Sequence, residues 1–200
     1  MLFVISGPSG VGKSTLVKRV LEDLDNIEFA VSHTTRKERR GEVEGRDYYF
    51  VSRDEFKKMI KEYKLAEWAV VHGNHYGTSK REIEKKGAKG DLLLDIDVQG
   101  AHQIKGRLKK AVFIFIMPPH FRDLKKRLKI RSEESEASVR KRFEVARKEI
   151  RYYHQFDYII VNDKLERATL ELESIIRSTR CRLDARKMEI LSILRSFTES

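Results

Sequence analysis

A glycine-rich stretch near the start of the chain, GPSGVGKST from Gly7 to Thr15, has the residue types and spacing of a phosphate-binding loop. Its glycines allow a tight turn whose backbone N–H groups can surround an anion, and a following helix would point its positive end at the same place. Lys13 can add a point charge at the outer phosphates, and Ser14 can offer a hydroxyl to magnesium. The loop predicts a bound nucleotide, but it does not identify the molecule that receives a phosphate.

A carboxylate partner for that magnesium is predicted in the sequence DLLLDID, which begins at Asp91. Asp95 ends an apolar run typical of a buried strand, where an aspartate usually helps to hold the metal ion of a phosphate loop. Asp97 lies two residues further on, and it could instead cap the N-terminus of a helix. Both roles are open for the members of this pair.

A second cluster, in the sequence VSHTTRKERRGEVEGRDYYF, interleaves arginines with hydroxyls. Arginine forks match the oxygens of a phosphate geometrically. An arginine run on a loop is more often a solvated face or a nucleic-acid patch, but the hydroxyls here favour one compact anion. The residues of this cluster are Ser32, Thr34, Thr35, Arg36, Arg39, Arg40 and Tyr48.

The sequence EWAVVHGNHYGTS, which starts at Glu67, offers a way to recognise a base. A glutamate before a tryptophan means little by itself. In a nucleotide site, however, its carboxylate could accept hydrogen bonds from N1–H and the 2-amino group of guanine, two adjacent donors that adenine does not present. Because the wrong base would leave buried polar groups unpaired, such a contact can discriminate strongly.

Strands and helices that alternate along the chain must position these loops. Apolar runs predict strands at Leu2–Ser6, Asp91–Ile96, Ala111–Met117 and Tyr158–Val161, and helical spacing appears at Ser14–Leu24, at Phe121–Ile130 and from Leu165 onward. This alternation predicts an α/β fold, with a parallel sheet flanked by helices. The phosphate loop falls between the first strand and the first helix, as its mechanism requires.

Two regions interrupt the alternation within a single domain that we expect to span residues 1–200. Residues 31–79 contain short alternating runs that predict a small, partly β insertion. Residues 131–155 begin with the polar sequence RSEESEA and predict a lid with the helix that follows it, although a plain surface loop would look similar. Residues 1–30, 80–130 and 156–200 would then form the core.

The amphipathic sequence Met188 to Phe197 predicts a last helix that packs on the core or, alternatively, forms a dimer contact. Either a monomer or a homodimer is therefore expected. A net charge of +11 and a pI near 9.7 fit anionic partners such as nucleic acid, a membrane surface or small phosphates.

The composition excludes several classes of protein. The single cysteine, Cys181, excludes an internal disulfide and a metal site built from cysteines. The apolar run Ala111 to Met117 is far shorter than the roughly 20 residues that cross a bilayer, and no signal peptide precedes the first strand. We expect a cytoplasmic protein without a membrane partner.

Several motifs follow one another over about residues 1–180. They are GPSGVGKST, S-x-T-T-R-x-x-R-x-G-E from Ser32 to Glu42, Asp47-Tyr48, Glu67-Trp68, Tyr76 to Thr78, LDIDVQG from Leu94 to Gly100, RLKIRSEESEASVRKRF, and Val161 to Asp163. In these motifs the chain resembles the guanylate kinase family, whose members convert ATP and GMP to ADP and GDP in purine nucleotide metabolism. Three places depart from the family pattern, namely His33, Glu38 and the pair Ser132-Glu133.

The resemblance implies a P-loop nucleoside monophosphate kinase fold, with Mg²⁺ as cofactor, ATP as donor and GMP as acceptor, and with dGMP use left open. It assigns ATP to Gly7, Pro8, Ser9, Gly10, Val11, Gly12, Lys13, Ser14, Thr15 and Asn162, and magnesium to Ser14 and Asp95. It assigns GMP to Ser32, Arg36, Arg39, Tyr48, Glu67, Tyr76, Thr78 and Asp97. The implied catalytic residues are Lys13, Arg36, Arg131 and Arg142, of which the last two would close onto the transferring phosphoryl group.

Three other functions explain less of the sequence. A kinase for a ribose phosphate would leave Glu67 and Thr78 without a base to contact. A non-enzymatic module of the same family would typically lack a working phosphate loop, whereas Lys13 and Ser14 are intact here. A nucleic-acid-binding protein would fit the charge, but the distinctive arginines belong to a small-anion site, so no specific nucleic acid is expected.

Overall fold

The structure, a computed structural model, describes residues 1–108, 110–130 and 136–197. Its elements follow one another as β1 (Leu2–Ser6), α1 (Lys13–Asp23), β2 (Ile27–Phe29), β3 (His33–Thr34), β4 (Tyr49–Phe50), α2 (Arg53–Lys61), β5 (Leu65–Val71), β6 (Asn74–Ser79), α3 (Lys80–Gly87), β7 (Asp91–Asp95), α4 (Val98–Arg107), β8 (Val112–Met117), α5 (Phe121–Ile130), α6 (Glu136–Glu149), a 3-10 helix (Ile150–Gln155), β9 (Tyr158–Val161), α7 (Leu165–Arg180) and α8 (Lys187–Ser196).

The main sheet has five parallel strands in the order β2-β7-β1-β8-β9, which confirms the predicted α/β fold. Strand β1 lies at its centre, and Val4 is opposite Leu94 of β7 on one side and Phe113 of β8 on the other. Strand β2 was not predicted, because three residues are too few to show a period. The phosphate loop begins where β1 ends, between the central strand and α1.

Both faces of the main sheet are buried, as a parallel sheet requires. Phe3 and Ile5 of β1 belong to a core that includes residues of α1, α5 and α7. Val4 points to the opposite face, where it packs in a second cluster with Ile104 of α4. The sheet therefore serves as a rigid base from which the loops at the carboxyl ends of β1 and β7 project.

A second sheet, in the order β4-β3-β6-β5, lies within residues 31–79. Strands β5 and β6 form an antiparallel hairpin, and its turn residues His72 and Gly73 have φ angles of 50° and 81°. Helix α2 lies in the same region and was not predicted, although Ser52 and Glu55 form a capping box at its start. The presence of this sheet supports an insertion, whose boundaries stay a prediction.

The last helix, α8, agrees with the amphipathic pattern of the sequence, but the expectation that it packs on the core is wrong in this structure. None of its residues is buried, and Met188 is 78% exposed. The reason is that α1 and α7 already cover the sheet face that includes Phe3 and Ile5. Among the described ranges of the chain, no helix has the length and apolar character needed to cross a membrane.

Candidate active site

The phosphate loop has a backbone that only glycine adopts easily. Gly7, Gly10 and Gly12 have φ angles of 145°, 83° and 100°. A Cβ atom on Gly12 would also lie 2.5 Å from Nδ2 of Asn162, so a side chain has no room there. Gly12 is the N-cap of α1 and makes no side-chain capping bond, which leaves the first N–H groups of the helix available to an anion.

Lys13 and Asp95 meet at the mouth of this loop. The Nζ atom of Lys13 donates to the carbonyl oxygen of Gly7 at 2.9 Å and lies 3.7 Å from Oδ1 of Asp95. The sheet itself sets this geometry, because Ile5 of β1 is opposite Asp95 of β7. Burial raises the pKa of Asp95, although the Lys13 charge opposes the shift. Ser14 borders the same cavity as Asp95.

Two residues that line neither cavity, Asn162 and Arg127, support the loop. Asn162 is buried and donates from Nδ2 to the carbonyl oxygen of Val11 at 2.8 Å. Arg127 donates to the same oxygen at 2.9 Å and to the carbonyl oxygen of Asn162 at 3.0 Å. Arg127 was missed, because its place in a helix rich in Lys and Arg gives no sign of this role. In this structure Asn162 contacts the loop backbone at Val11. Its predicted place near adenine stays a prediction.

Helix α6 contacts the phosphate loop at Ser9. Nη2 of Arg142 donates to Oγ of Ser9 at 3.2 Å, and Oε2 of Glu149 accepts from the Ser9 N–H at 3.4 Å. Burial raises the pKa of Glu149, and the charge of Lys13 opposes the rise. Glu149 was also missed, because one glutamate in a highly charged helix looks like a surface residue. Arg131, the other predicted lid arginine, lies outside the described residues.

The arginine cluster is held by a carboxylate of its own motif. Nη1 and Nη2 of Arg36 donate to the two oxygens of Glu42 at 3.0 and 2.8 Å, and Glu42 also accepts from the N–H of Arg39 at 2.8 Å. The Arg36 guanidinium lies 5.3 Å from the centre of the Tyr48 ring, and the Tyr48 and Tyr76 rings meet edge to face at 5.9 Å. Glu42 belongs to the quoted motif, but its role as the anchor of Arg36 was not predicted.

Ser32, Glu67 and Thr78 form a buried polar corner within the insertion. Oε1 of Glu67 accepts from both the N–H and the hydroxyl of Thr78 at 2.7 Å, and the Thr78 hydroxyl is 2.9 Å from Oγ of Ser32. Glu67 is only 3% exposed. Burial raises the pKa of Glu67 to about 7, against the effect of the hydrogen bonds from Thr78 and with a contribution from the charge of Asp97.

Asp97 connects this corner to the core. Its Oδ1 accepts from the N–H of Gly100 at 2.8 Å, so Asp97 is the N-cap of α4. The capping role that the sequence left open for Asp97 is therefore confirmed. Asp95, two residues earlier, faces Lys13 instead, so the pair divides between two tasks.

One cleft of about 390 Å³ brings most of these residues together, a size typical of small-molecule sites. Its lining includes loop residues Gly7, Ser9, Gly10 and Lys13, insertion residues Ser32, Arg36, Arg39, Tyr48, Glu67 and Tyr76, and core residues Asp95, Asp97, Arg142 and Glu149. Thr78 contacts the lining through Glu67. Ser14 and Thr15 border the adjoining cavity, whereas Pro8, Val11, Gly12 and Asn162 border neither of the two.

Known proteins match this chain over most of its length. A family model described as guanylate kinase matches residues 1–179. The guanylate kinase of Geobacter metallireducens is 49% identical over 183 residues, which cover 91% of this chain and 90% of that protein. The guanylate kinase of Thermotoga maritima is 45% identical over 183 residues, or 91% of this chain and 88% of that protein. The crystal structure of guanylate kinase from Anaplasma phagocytophilum matches with a TM-score of 0.76 and 35% identity, covering 91% of this chain and 87% of that one.

Proposed function

The chain belongs to the guanylate kinase family, whose reaction is the phosphorylation of GMP by ATP, and we propose how its cleft divides that reaction between two nucleotides. ATP phosphates bind the loop at Gly7–Thr15, and GMP binds the insertion. The observation that carries this proposal is the shared cleft, which has the loop lysine Lys13 and the buried carboxylate of Glu67 in one lining.

The insertion would hold GMP at both ends. Arg36, Arg39, Tyr48 and Tyr76 would bind its phosphate, since their guanidinium and hydroxyl groups are donors that match phosphate oxygens. Burial raises the pKa of Tyr48, so its hydroxyl remains a donor. Ser32, Glu67 and Thr78 would contact guanine, with Asp97 near the nucleoside. Because Oε1 of Glu67 already accepts from Thr78, its Oε2 is the oxygen most available to the base.

Transfer between two anionic phosphates needs alignment and cancellation of charge rather than a strong base. Lys13, Arg36, Arg131 and Arg142 would offset the repulsion between the ATP γ-phosphate and the GMP phosphate. The contact between Arg142 and Ser9 supports this role, because it brings a guanidinium to the loop that would hold ATP. No general base is assigned, since the attacking phosphate oxygen is already a nucleophile.

Magnesium suits the oxygens that Ser14 and Asp95 bring to one cavity. Mg²⁺ prefers hard oxygen ligands and usually takes only one or two from the protein, together with water and phosphate oxygens. Asp95 also has a half-buried carboxylate whose pKa is raised by the loss of solvent around it, and a nearby cation would favour its ionised form. When bound, the metal would neutralise charge on the phosphates, while Lys13 and the loop N–H groups orient them.

A panel of acceptors tests the proposed function. We expect ATP-dependent ADP formation to be fast with GMP and slower with AMP, CMP, UMP or a ribose phosphate by roughly 100-fold or more, because only guanine offers two adjacent donors to Glu67. Including dGMP measures the contribution of the 2′-hydroxyl. Coupled detection of ADP gives kcat/KM for each acceptor, and equal values for AMP and GMP would refute the guanine assignment.

The KM for GMP should depend on pH through Glu67. With a pKa of about 7, Glu67 is largely ionised at pH 8 and largely protonated at pH 6, and only the ionised form accepts from both guanine donors. The KM for GMP should therefore rise about tenfold for each pH unit below 7. The GMP phosphate also titrates near this range. The control is therefore Glu67→Gln, because this variant uses the same substrate but lacks the carboxyl group of Glu67. Identical pH profiles for the two proteins would contradict the prediction.

A further inference from the structure

Helix α4 of the core lies beside the strand that carries Glu67. Strand β5 is the last in the order of its sheet, so no other strand in the described part of the chain pairs with its outer edge. Side chains of α4 bind the backbone groups there. Gln103 accepts from the N–H of Trp68 at 3.2 Å and donates to the Trp68 carbonyl oxygen at 2.7 Å, and Arg107 donates to the carbonyl oxygen of Ala66 at 2.6 Å.

These contacts enclose the one irregular point of the hairpin. The register of β5 against β6 shifts between Leu65 and Glu67, so Ala66 is an extra residue in the strand. A bulge re-aims the side chain that follows it, and here that side chain is Glu67. Residues on both sides of Glu67 are thus bound by α4, and the direction of its carboxylate is fixed by the core as well as by the hairpin.

Gly100, in the first turn of α4, gives the Glu67 carboxylate its space. A Cβ atom built on Gly100 would overlap Oε2 of Glu67 and lie 3.2 Å from Oδ1 of Asp97. Gly100, Gln103 and Arg107 are spaced by three and four positions, so they share one face of the helix. The same face therefore accommodates the carboxylate and binds the strand beside it.

We propose that Gly100 and Gln103 are positioning residues for guanine selection, which hold the Glu67 carboxylate where it can accept from the base. This inference rests on the proposed contact between Glu67 and guanine. It makes α4 part of the base site, although α4 belongs to the core and Glu67 to the insertion. Because only two residues separate Asp95 from the start of α4 at Val98, the same element connects base recognition to the site of transfer.

The central test is Gly100→Ala. Alanine favours a helix more than glycine does, so the fold should persist, while the added methyl group must displace the flexible end of Glu67. The KM for GMP should rise about tenfold or more, and the KM for ATP should change less than about twofold. The matched control is Gly106→Ala on the same helix, where a Cβ atom would have no neighbour within 4 Å, and both KM values should stay at the wild-type level.

A second variant separates positioning from general damage. Glu67→Asp shortens the side chain by one methylene group, so as a single change it should impair GMP use. In the Gly100→Ala background, however, the shorter side chain makes room for the added methyl group. The double variant should therefore lose less than the product of the two single losses. Gln103→Leu should also raise the KM for GMP selectively, whereas His102→Leu, at an exposed neighbouring position, should not.

Three outcomes would overturn the inference: an unchanged KM for GMP in Gly100→Ala, equal increases in the KM for GMP and for ATP, or multiplicative losses in the double variant. Glu67→Gln distinguishes failure of the inference from failure of its premise. If Glu67→Gln leaves GMP use unchanged, the proposed guanine contact is wrong. If Glu67→Gln impairs GMP use and Gly100→Ala does not, only the role of α4 is wrong.

Discussion

Replacing Lys13 with alanine should lower kcat for phosphoryl transfer about 1000-fold, or roughly 4 kcal/mol of transition-state stabilisation. Lys13 is the first residue of α1, and its ammonium group lies between the loop carbonyl of Gly7 and the carboxylate of Asp95. No other described lysine lines the cleft, so water would replace this charge as the phosphate becomes more anionic. Initial rates at saturating ATP and GMP measure the loss.

Two further variants separate the charge of Lys13 from its packing. Lys13→Met keeps most of the aliphatic side chain and should lose as much activity as Lys13→Ala, because the ammonium group is what both remove. Lys57→Ala, at an exposed position of α2 that borders neither cavity, should keep wild-type rates. Thermal unfolding should show that all three variants fold. Activity in Lys13→Met within about tenfold of wild type would show that the charge is not required.

Glu67→Gln should lower kcat/KM for GMP about 100- to 1000-fold while leaving the KM for ATP nearly unchanged. The amide can still accept from Thr78 through its carbonyl oxygen, but its NH₂ group would face the donors of guanine. The guanine donors would then lose their hydrogen-bond acceptor, and water could not replace it easily because Glu67 is only 3% exposed. Steady-state kinetics with each substrate varied in turn provide the measurement.

The fold should tolerate Glu67→Gln, because the change removes a carboxyl group whose ionisation is disfavoured by burial. Glu62→Gln is a suitable control, since Glu62 is an exposed glutamate of the same insertion. It should leave both KM values as they are. A selective loss of ATP affinity in Glu67→Gln would place Glu67 on the wrong side of the cleft.

The parts of the fold that the sequence could predict are those whose signal is local. The strands Leu2–Ser6 and Tyr158–Val161 agree with the predicted bounds, because a buried parallel strand is a continuous apolar run between polar turns. The loop between β1 and α1 was also predictable, since its glycines, lysine and serine all lie within the eight residues from Gly7 to Ser14. In both cases the residues that produce the structure are neighbours in the chain.

Contacts between distant residues could not be predicted in this way. Arg127 binds the loop carbonyl of Val11, which is 116 positions away, and a basic helix gives no indication of such a partner. Glu149 contacts Ser9 across 140 positions. Likewise, the pattern of α8 predicts a helix with an apolar face, but only the packing of α7 on the sheet decides whether that face finds a place in the core.

The environment of His33, which departs from the family pattern, could not be predicted from the sequence either. Its ring lies 4.8 Å from that of Tyr49, and burial lowers the pKa of His33. The larger side chain next to Ser32 is accommodated because His33 of β3 is paired with Tyr49 of β4 and their rings pack against each other. The sequence alone shows the substitution but not the aromatic neighbour.

The burial of Glu67 makes GMP binding a proton-linked event. At pH 7 a carboxyl group with a pKa of about 7 is half protonated, and contact with two guanine donors favours the ionised form. Each GMP that binds at this pH then releases about half a proton to the solvent. The measured heat of binding therefore includes the ionisation enthalpy of the buffer. At lower pH, protons compete with GMP for the carboxylate oxygens of Glu67.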